Sequence, residues 1–160
     1  MMAKSTITLK NHLPNIKGEI NNAALEWLEE AAGELESETK RNTTADTGQL
    51  KNSWTHKVDR GAGEAFVGSP LENAIWEEYG TGEYAAEGNG RSSPWFVPVE
   101  AVTGTKKPSF QGKVVVVYGK NGKAYYKTDG KQPQMTLHNA WDAVMPKAEK
   151  GLQAKLKKIK

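Results

Sequence analysis

The sequence predicts an α+β protein in which two long amphipathic helices pack on a small, mainly antiparallel sheet built from hairpins. Three observations carry that expectation. Apolar residues recur at helical spacing over residues 15–41 and again over 136–158. Two β-rich runs flank the dipeptide Asn121-Gly122, which suits a tight hairpin turn. A second alternating pair, 54–60 and 64–69, is broken by Gly61-Ala62-Gly63.

In chain order, residues 1–14 are polar, lack a period and end in Pro14, which reads as an extended N-terminal arm. Residues 15–160 then form one domain, since a chain of 160 residues needs only one core. The first helix aligns Ile16, Ile20, Ala23, Trp27, Ala31 and Leu35, widened by Ala24 and Leu28. Its other face carries Glu19, Glu26, Glu29, Glu30, Glu34, Glu36 and Glu38 with no Lys or Arg between them, a face that wants water or a basic partner. Asp46 has the short acceptor side chain of a helix cap, and residues 48–53 have room for one or two turns beyond it. After the first hairpin, residues 71–79 suit a two-turn helix that presents Ile75, Trp76 and Tyr79, with Glu77 and Glu78 reading as solvated charge. Gly80 and Gly82 then permit a sharp change of direction.

Residues 83–93 and 103–110 read as loops, and the proline-bounded run 94–99 belongs at a sheet edge if extended. The second hairpin pairs 114–118 with 124–127, and the chain leaves it through Gly130 and Pro133. In the last helix Leu137, Trp141, Val144, Ala148, Leu152, Leu156 and Ile159 make a regular seam, which Pro146 should kink or split. Lysines crowd its end, with Lys147, Lys150, Lys155 and Lys157 among them and Glu149 the one acid after residue 146.

Net charge is +3, yet residues 1–80 hold 8 positive and 13 negative side chains while residues 81–160 hold 14 and 6. Opposed halves can pair within a chain or between copies, so the basic total is not by itself a nucleic-acid footprint. No apolar run approaches the roughly 20 residues that cross a bilayer, and Met1 to Lys10 has no apolar secretory core. The absence of cysteine excludes disulfides, thiol nucleophiles and thiolate metal sites. His12, His56 and His138 lack metal-ligand spacing, Gly61-Ala62-Gly63 and Gly80-Thr81-Gly82 are too short for phosphate loops, and no nucleophile elbow surrounds Ser53 or Ser69. The expectation is a protein without catalytic residues, metal or cofactor. An alternative is a small basic nucleic-acid-binding module using the lysines around Trp95, Phe96, Tyr118, Tyr125 and Tyr126, although strand aromatics more often fill a core.

The stretch Asp46-Thr47-Gly48-Gln49-Leu50-Lys51-Asn52-Ser53-Trp54, followed by Trp76-Glu77-Glu78-Tyr79-Gly80-Thr81-Gly82, resembles the gene-product-ten-like tail-completion or head-to-tail joining family (minor tail components) of long-tailed bacteriophages. Pro94-Trp95-Phe96, Tyr125-Tyr126-Lys127-Thr128 and Gly130-Lys131-Gln132-Pro133 continue the likeness in the same order, while Gln134 stands where the family usually has Phe. The resemblance implies a virion structural protein, not an enzyme, that assembles as a homo-oligomeric ring of about six or twelve copies between capsid portal complex and tail. Its implied neighbours are head-completion or adaptor, tail-terminator or tail-tube proteins, with nonspecific contact with packaged DNA and no membrane. The implied location is the virion neck or head-proximal tail end, after assembly in the host cytoplasm. Framework or interface roles fall to Asp46, Thr47, Gly48, Leu50, Trp76, Tyr79, Gly80, Thr81, Gly82 and Trp95. Glu26, Glu30 and Glu34 on one helix, with Lys147, Lys150, Lys155 and Lys157 on the other, are candidates for charge pairing between subunits.

Overall fold

The computed structural model describes residues 6–10, 18–44, 48–102 and 115–158. Its elements in order are β1 (Thr6–Lys10), α1 (Gly18–Asn42), α2 (Gln49–Ser53), β2 (Thr55–Asp59), β3 (Glu64–Gly68), α3 (Asn73–Tyr79), β4 (Thr81–Gly82) and β5 (Trp95–Pro98). A 3₁₀ turn (Val99–Ala101), β6 (Val115–Tyr118), β7 (Ala124–Thr128), β8 (Gly130–Lys131) and α4 (Thr136–Lys157) complete it. The mixed class, both long helices and both hairpins are those expected. The chain divides into two compact units, Met1–Ala74 with Thr136–Lys160, and Ile75–Met135.

The first unit is held by α1 and α4. They run antiparallel: Trp27 Nε1 donates to the Ala148 carbonyl at 2.6 Å, and Asn42 Nδ2 reaches the Thr136 carbonyl at 3.4 Å. Leu25, Leu28, Ala32 and Leu35 of α1 meet Leu137, Ala140, Val144 and Met145 of α4, with Trp54, Ala65, Val67 and Ala74 completing the core. Leu25, Ala32 and Thr39 lie outside the expected stripe yet are buried, so the packed face of α1 is broader than its periodicity suggested. The Thr39 hydroxyl makes that possible by donating to the Leu35 carbonyl at 2.7 Å, which satisfies a polar group in an apolar place.

The sheet of this unit has the order β1-β3-β2. The hairpin β2–β3 is the expected one, and β1 adds a third antiparallel strand in register from Thr6↔Gly68 to Lys10↔Glu64. Alternation along β3 buries Ala65 and Val67. The free edge of β2 is guarded: the His56 N–H, which does not pair with β3, donates to Glu36 Oε2 at 2.9 Å. Pro146 does not split α4. Both Pro146 and Asp142 lie on the exposed face, where water can take the Asp142 carbonyl that Pro146 leaves without a donor. Of the seam, Leu137, Val144 and Ala148 are buried, Trp141, Leu152 and Leu156 half-buried, and Ile159 lies outside the described residues, as does Ile16 of the first helix.

The second unit holds two small sheets, β4-β8 and β5-β7-β6. The Asn121-Gly122 hairpin joins β6 to β7, and β5 occupies the expected edge position with Trp95↔Thr128 through Pro98↔Tyr125. Residues 103–110, expected as a loop, lie outside the described residues.

Candidate interface surfaces

Of the framework candidates, Asp46 and Thr47 lie outside the described residues. The residue flanking α2 on its N-terminal side is Gly48, at φ 77. Leu50 packs against the core cluster, and the far end of α2 is tied to the strand end by a 2.7 Å hydrogen bond between the hydroxyls of Ser53 and Ser69. These residues therefore fasten α2 to the first unit's core.

At the end of α3 the carboxylates behave opposite to expectation. Glu77 and Glu78 are 4% and 3% exposed, whereas Trp76 and Tyr79 are 47% and 42% exposed. The cause is a segment more than fifty positions away in sequence. Gln134 N–H donates to the Glu77 carbonyl at 2.8 Å, Met135 N–H to the Glu78 carbonyl at 3.2 Å, and the Lys131 ammonium pairs with Glu77 Oε2. Gly80 and Thr81 sit under the same segment: Lys131 N–H donates to Thr81 Oγ1 at 3.0 Å, and a Cβ on Gly80 would lie 2.6 Å from the Lys131 carbonyl oxygen. Removing one partner of a buried pair costs about 3–5 kcal/mol, and solvent screening at the 36% exposed Lys131 side chain lowers this to about 2 kcal/mol for Lys131→Met. Urea unfolding of that variant should show the loss, and a midpoint equal to wild type would contradict the pairing.

The β5-β7-β6 sheet carries four of the large apolar side chains that stand exposed among the described residues. Among the described residues of the second unit no apolar side chain is buried; the buried positions are Glu77, Glu78, Gly80, Gly82, Thr128 and Gly130. By contrast Tyr118 is 78% exposed, Phe96 56%, Val115 49% and Val116 46%. Phe96, Val117, Tyr118 and Tyr125 line an open groove of about 600 Å³ with Lys120 and Asn121 at its rim. Trp95 is half-buried beneath the Arg91 guanidinium, 5.6 Å from the ring centroid. Lys123 is held by Glu100 at 2.8 Å.

The charge candidates lie on α1 and α4 of the first unit. Lys155 Nζ pairs with Glu30 at 2.7 Å within one chain, so the two opposed helix faces partly neutralise each other. Glu26, Glu34, Lys147, Lys150 and Lys157 are exposed. A second open groove, about 610 Å³, runs between the helices and is lined by Gly33, Glu34, Ser37, Glu38, Arg41, Ala143, Val144 and Lys147. Nothing in the residue order announced it, since it forms where small side chains of two distant helices meet.

Deeper in α1, Glu36 receives Lys40 Nζ and His56 Nδ1, each at 2.5 Å, while His56 Nε2 lies 3.5 Å from Glu29. Burial alone pushes the Glu36 carboxyl up, but the hydrogen bonds and charges of Lys40 and His56 outweigh it and hold the group below its ordinary value. A carboxyl depressed on folding adds stability above its unfolded pKa and loses it as pH falls through the folded one. Glu36→Gln should therefore be less stable than wild type at neutral pH and show a shallower loss of stability below about pH 4.5, seen in urea midpoints collected against pH. Parallel acid limbs for the two proteins would refute this.

His138 Nε2 approaches Asp142 at 3.8 Å, and among the described residues no group of three or more His, Cys, Asp or Glu could hold a metal ion. No described helix is long and apolar enough to cross a membrane.

Residues 8–80 match the model of a family described as "Bacteriophage HK97-gp10, putative tail-component". The match runs from within β1 to the end of α3 and Gly80, and so takes in Gly48, Leu50, Trp76 and Tyr79 but not Thr81, Gly82 or Trp95. The resemblance read from the residues thus holds over this reach, where the chain is similar to a phage tail component. Its downstream pieces, from Pro94 to Pro133, lie beyond the matched residues. No curated protein and no solved structure matches the chain.

Proposed function

We propose that this chain is a phage tail component that works at the head-proximal end of the tail, where copies close into a ring that joins the capsid portal complex to the tail. The chain contributes shape and charge there rather than a reactive group. The observation that carries the reading is the second unit, whose described residues bury no apolar side chain while Phe96, Val115, Val116 and Tyr118 stand exposed. Monomeric proteins rarely leave such groups uncovered together, and assembly is the usual reason when they do. The exposed Glu26 and Glu34 on one helix and Lys147, Lys150 and Lys157 on another supply further surface for neighbours. Head-completion or adaptor, tail-terminator or tail-tube proteins are the neighbours this placement implies, with assembly in the host cytoplasm and a final position in the virion.

Mass photometry of the purified protein should find a closed oligomer of defined size, and pull-down against particle components should retain a neck or tail-tube protein. Absence of the chain from purified virions would end the reading. A second reading, a basic nucleic-acid-binding module, draws on Phe96 and Tyr118 standing beside Lys120 at the groove. It would be favoured by a gel shift with random DNA that disappears as salt rises, in a protein that stays monomeric.

A further inference from the structure

The outer edge of β6 is unguarded. Gly119 N–H donates to the Lys123 carbonyl at 2.9 Å, and from there the register runs through Val117↔Tyr125 to Val115↔Lys127. Backbone groups alternate in direction along an antiparallel pair, so Val115 and Val117 bond to β7 while the N–H and C=O of Val116 and Tyr118 point away from the sheet. Among the described residues no strand takes them. Sheet edges are ordinarily blunted by proline, charge or a covering group. At the other edge of this sheet Pro94 and Pro98 stand on either side of Phe96 and offer no N–H, and in the first unit Glu36 takes the outward N–H of His56. The run Val115-Val116-Val117-Tyr118 has neither proline nor charge. Beside it lies the open groove of about 600 Å³, lined in part by Phe96, Val117 and Tyr125 on one face of the sheet, with Lys120 at its rim. Val115 and Lys127 share that face, and Val116 and Tyr118 occupy the opposite one. Residues 115–128 carry Lys120, Lys123 and Lys127 and no acid. Glu100 holds Lys123, and Lys120 and Lys127 have no ion pair among the described residues.

We propose that β6 receives a further strand from another protein, an extended segment that alternates apolar residues with acidic ones. Its backbone bonds to Val116 and Tyr118, one of its apolar side chains enters the groove, and one of its carboxylates meets Lys120. In strand addition the main-chain hydrogen bonds supply affinity, and pockets for alternate side chains supply selectivity. Both parts are present here, the open edge and the groove beside it. The acidic character of the segment follows from the hairpin's charge, which is positive throughout. The same charge argues against a second copy as occupant, since β6 laid on β6 would join two hairpins that each carry three lysines and no acid. The inference rests on the reading of the second unit as an assembly surface and deepens it by naming the chemistry of what covers that surface.

The probe is a library of displayed random heptapeptides, selected against the full chain. Enriched sequences should alternate apolar residues and include Asp or Glu. A synthetic peptide of that sequence should slow amide exchange at Val116 and Tyr118, which is fast in the free protein, and leave Val117 as it was. Methylating the peptide's backbone nitrogens at one set of alternate positions should weaken binding about tenfold, while methylation at the other set should not, because only one edge of an added strand meets β6. Lys120→Glu should also weaken binding about tenfold, with recovery when Lys replaces the peptide's acid. No enrichment, enriched peptides without an acid, amides at Val116 and Tyr118 already slow in the free chain, or binding indifferent to methylation or to Lys120 would each overturn the proposal. So would a wild-type oligomer that Val116→Pro dissolves, since the edge would then belong to a second copy. Mass photometry judges the ring reading separately. Peptide capture by a chain that stays monomeric, free or with its particle components, removes the ring and keeps the added strand, and a closed oligomer that captures no peptide does the reverse.

Discussion

Trp54→Ala is expected to be the most damaging single substitution in the first unit, lowering stability by about 3–5 kcal/mol. Trp54 is wholly buried, as are Leu28 and Leu35 of α1, Val67 of β3 and Leu137 of α4 in the same cluster. Truncation removes the transfer free energy of the indole and leaves a void that helices already packed on one another cannot close. For a protein of ordinary stability, about 5–15 kcal/mol, this is a large fraction, and the melting temperature should fall by about 10 °C. Trp54→Phe separates packing from polarity. The indole Nε1 is buried with no hydrogen-bond partner among the described residues, and an unmade hydrogen bond at such a group costs about 1–3 kcal/mol. Phenylalanine keeps most of the apolar volume and drops the unsatisfied donor, so its cost should stay below about 1.5 kcal/mol. Should the Phe variant melt as low as the Ala variant in calorimetry, the void would not be the cause.

Gly82→Ala should be the corresponding lesion in the second unit, costing about 3–5 kcal/mol from backbone strain and overlap together. Gly82 sits at φ 65, and a Cβ there would lie 2.0 Å from the Asp129 carbonyl oxygen and 2.6 Å from the Trp95 ring. The near atom is backbone, held by the pairing of Thr81 with Lys131 and of Gly82 with Gly130, so it cannot rotate aside as a flexible side chain would. The strands β4 and β8 must part instead, and with them the segment that covers Glu77. Hydrogen exchange should therefore speed up at residues 79–84 and 129–135, while amides of the α1–α4 core keep their wild-type protection. Unchanged exchange in the first two segments would mean that the crossing tolerates a side chain. Gly63, also at positive φ, offers a control: a Cβ there would meet no described atom within 4 Å, so Gly63→Ala should lose only about 1 kcal/mol to the left-handed backbone.

Much of the fold was legible because the signals are local. The seam from Leu137 to Ala148 and the stripe from Ala24 to Leu35 are statements about neighbours three and four residues apart, and such periodicity survives whatever packs on it. Asn121-Gly122 likewise carries its own turn geometry between two β-rich runs. Surface exposure depends on distant segments instead. Glu77 and Glu78 look solvated when read beside their neighbours, and they are buried because residues 131–135 return across them. The acidic stripe of α1 looked uniform, but His56 and Lys40 claim Glu36 and Lys155 claims Glu30, each according to which element lies alongside.

Residue order alone determined where the long helices and the two hairpins form, and over residues 8–80 it determined the family the chain resembles, because both depend on short-range spacing and on residue types in sequence. Tertiary structure alone decided which carboxylates are buried and which are free, that β1 adds to the sheet and that Glu36 guards its other edge, and that a groove opens between α1 and α4. The reason is physical: burial and pairing belong to surfaces brought together from distant parts of the chain, and a side chain's own neighbours in sequence carry no record of what will later lie against it.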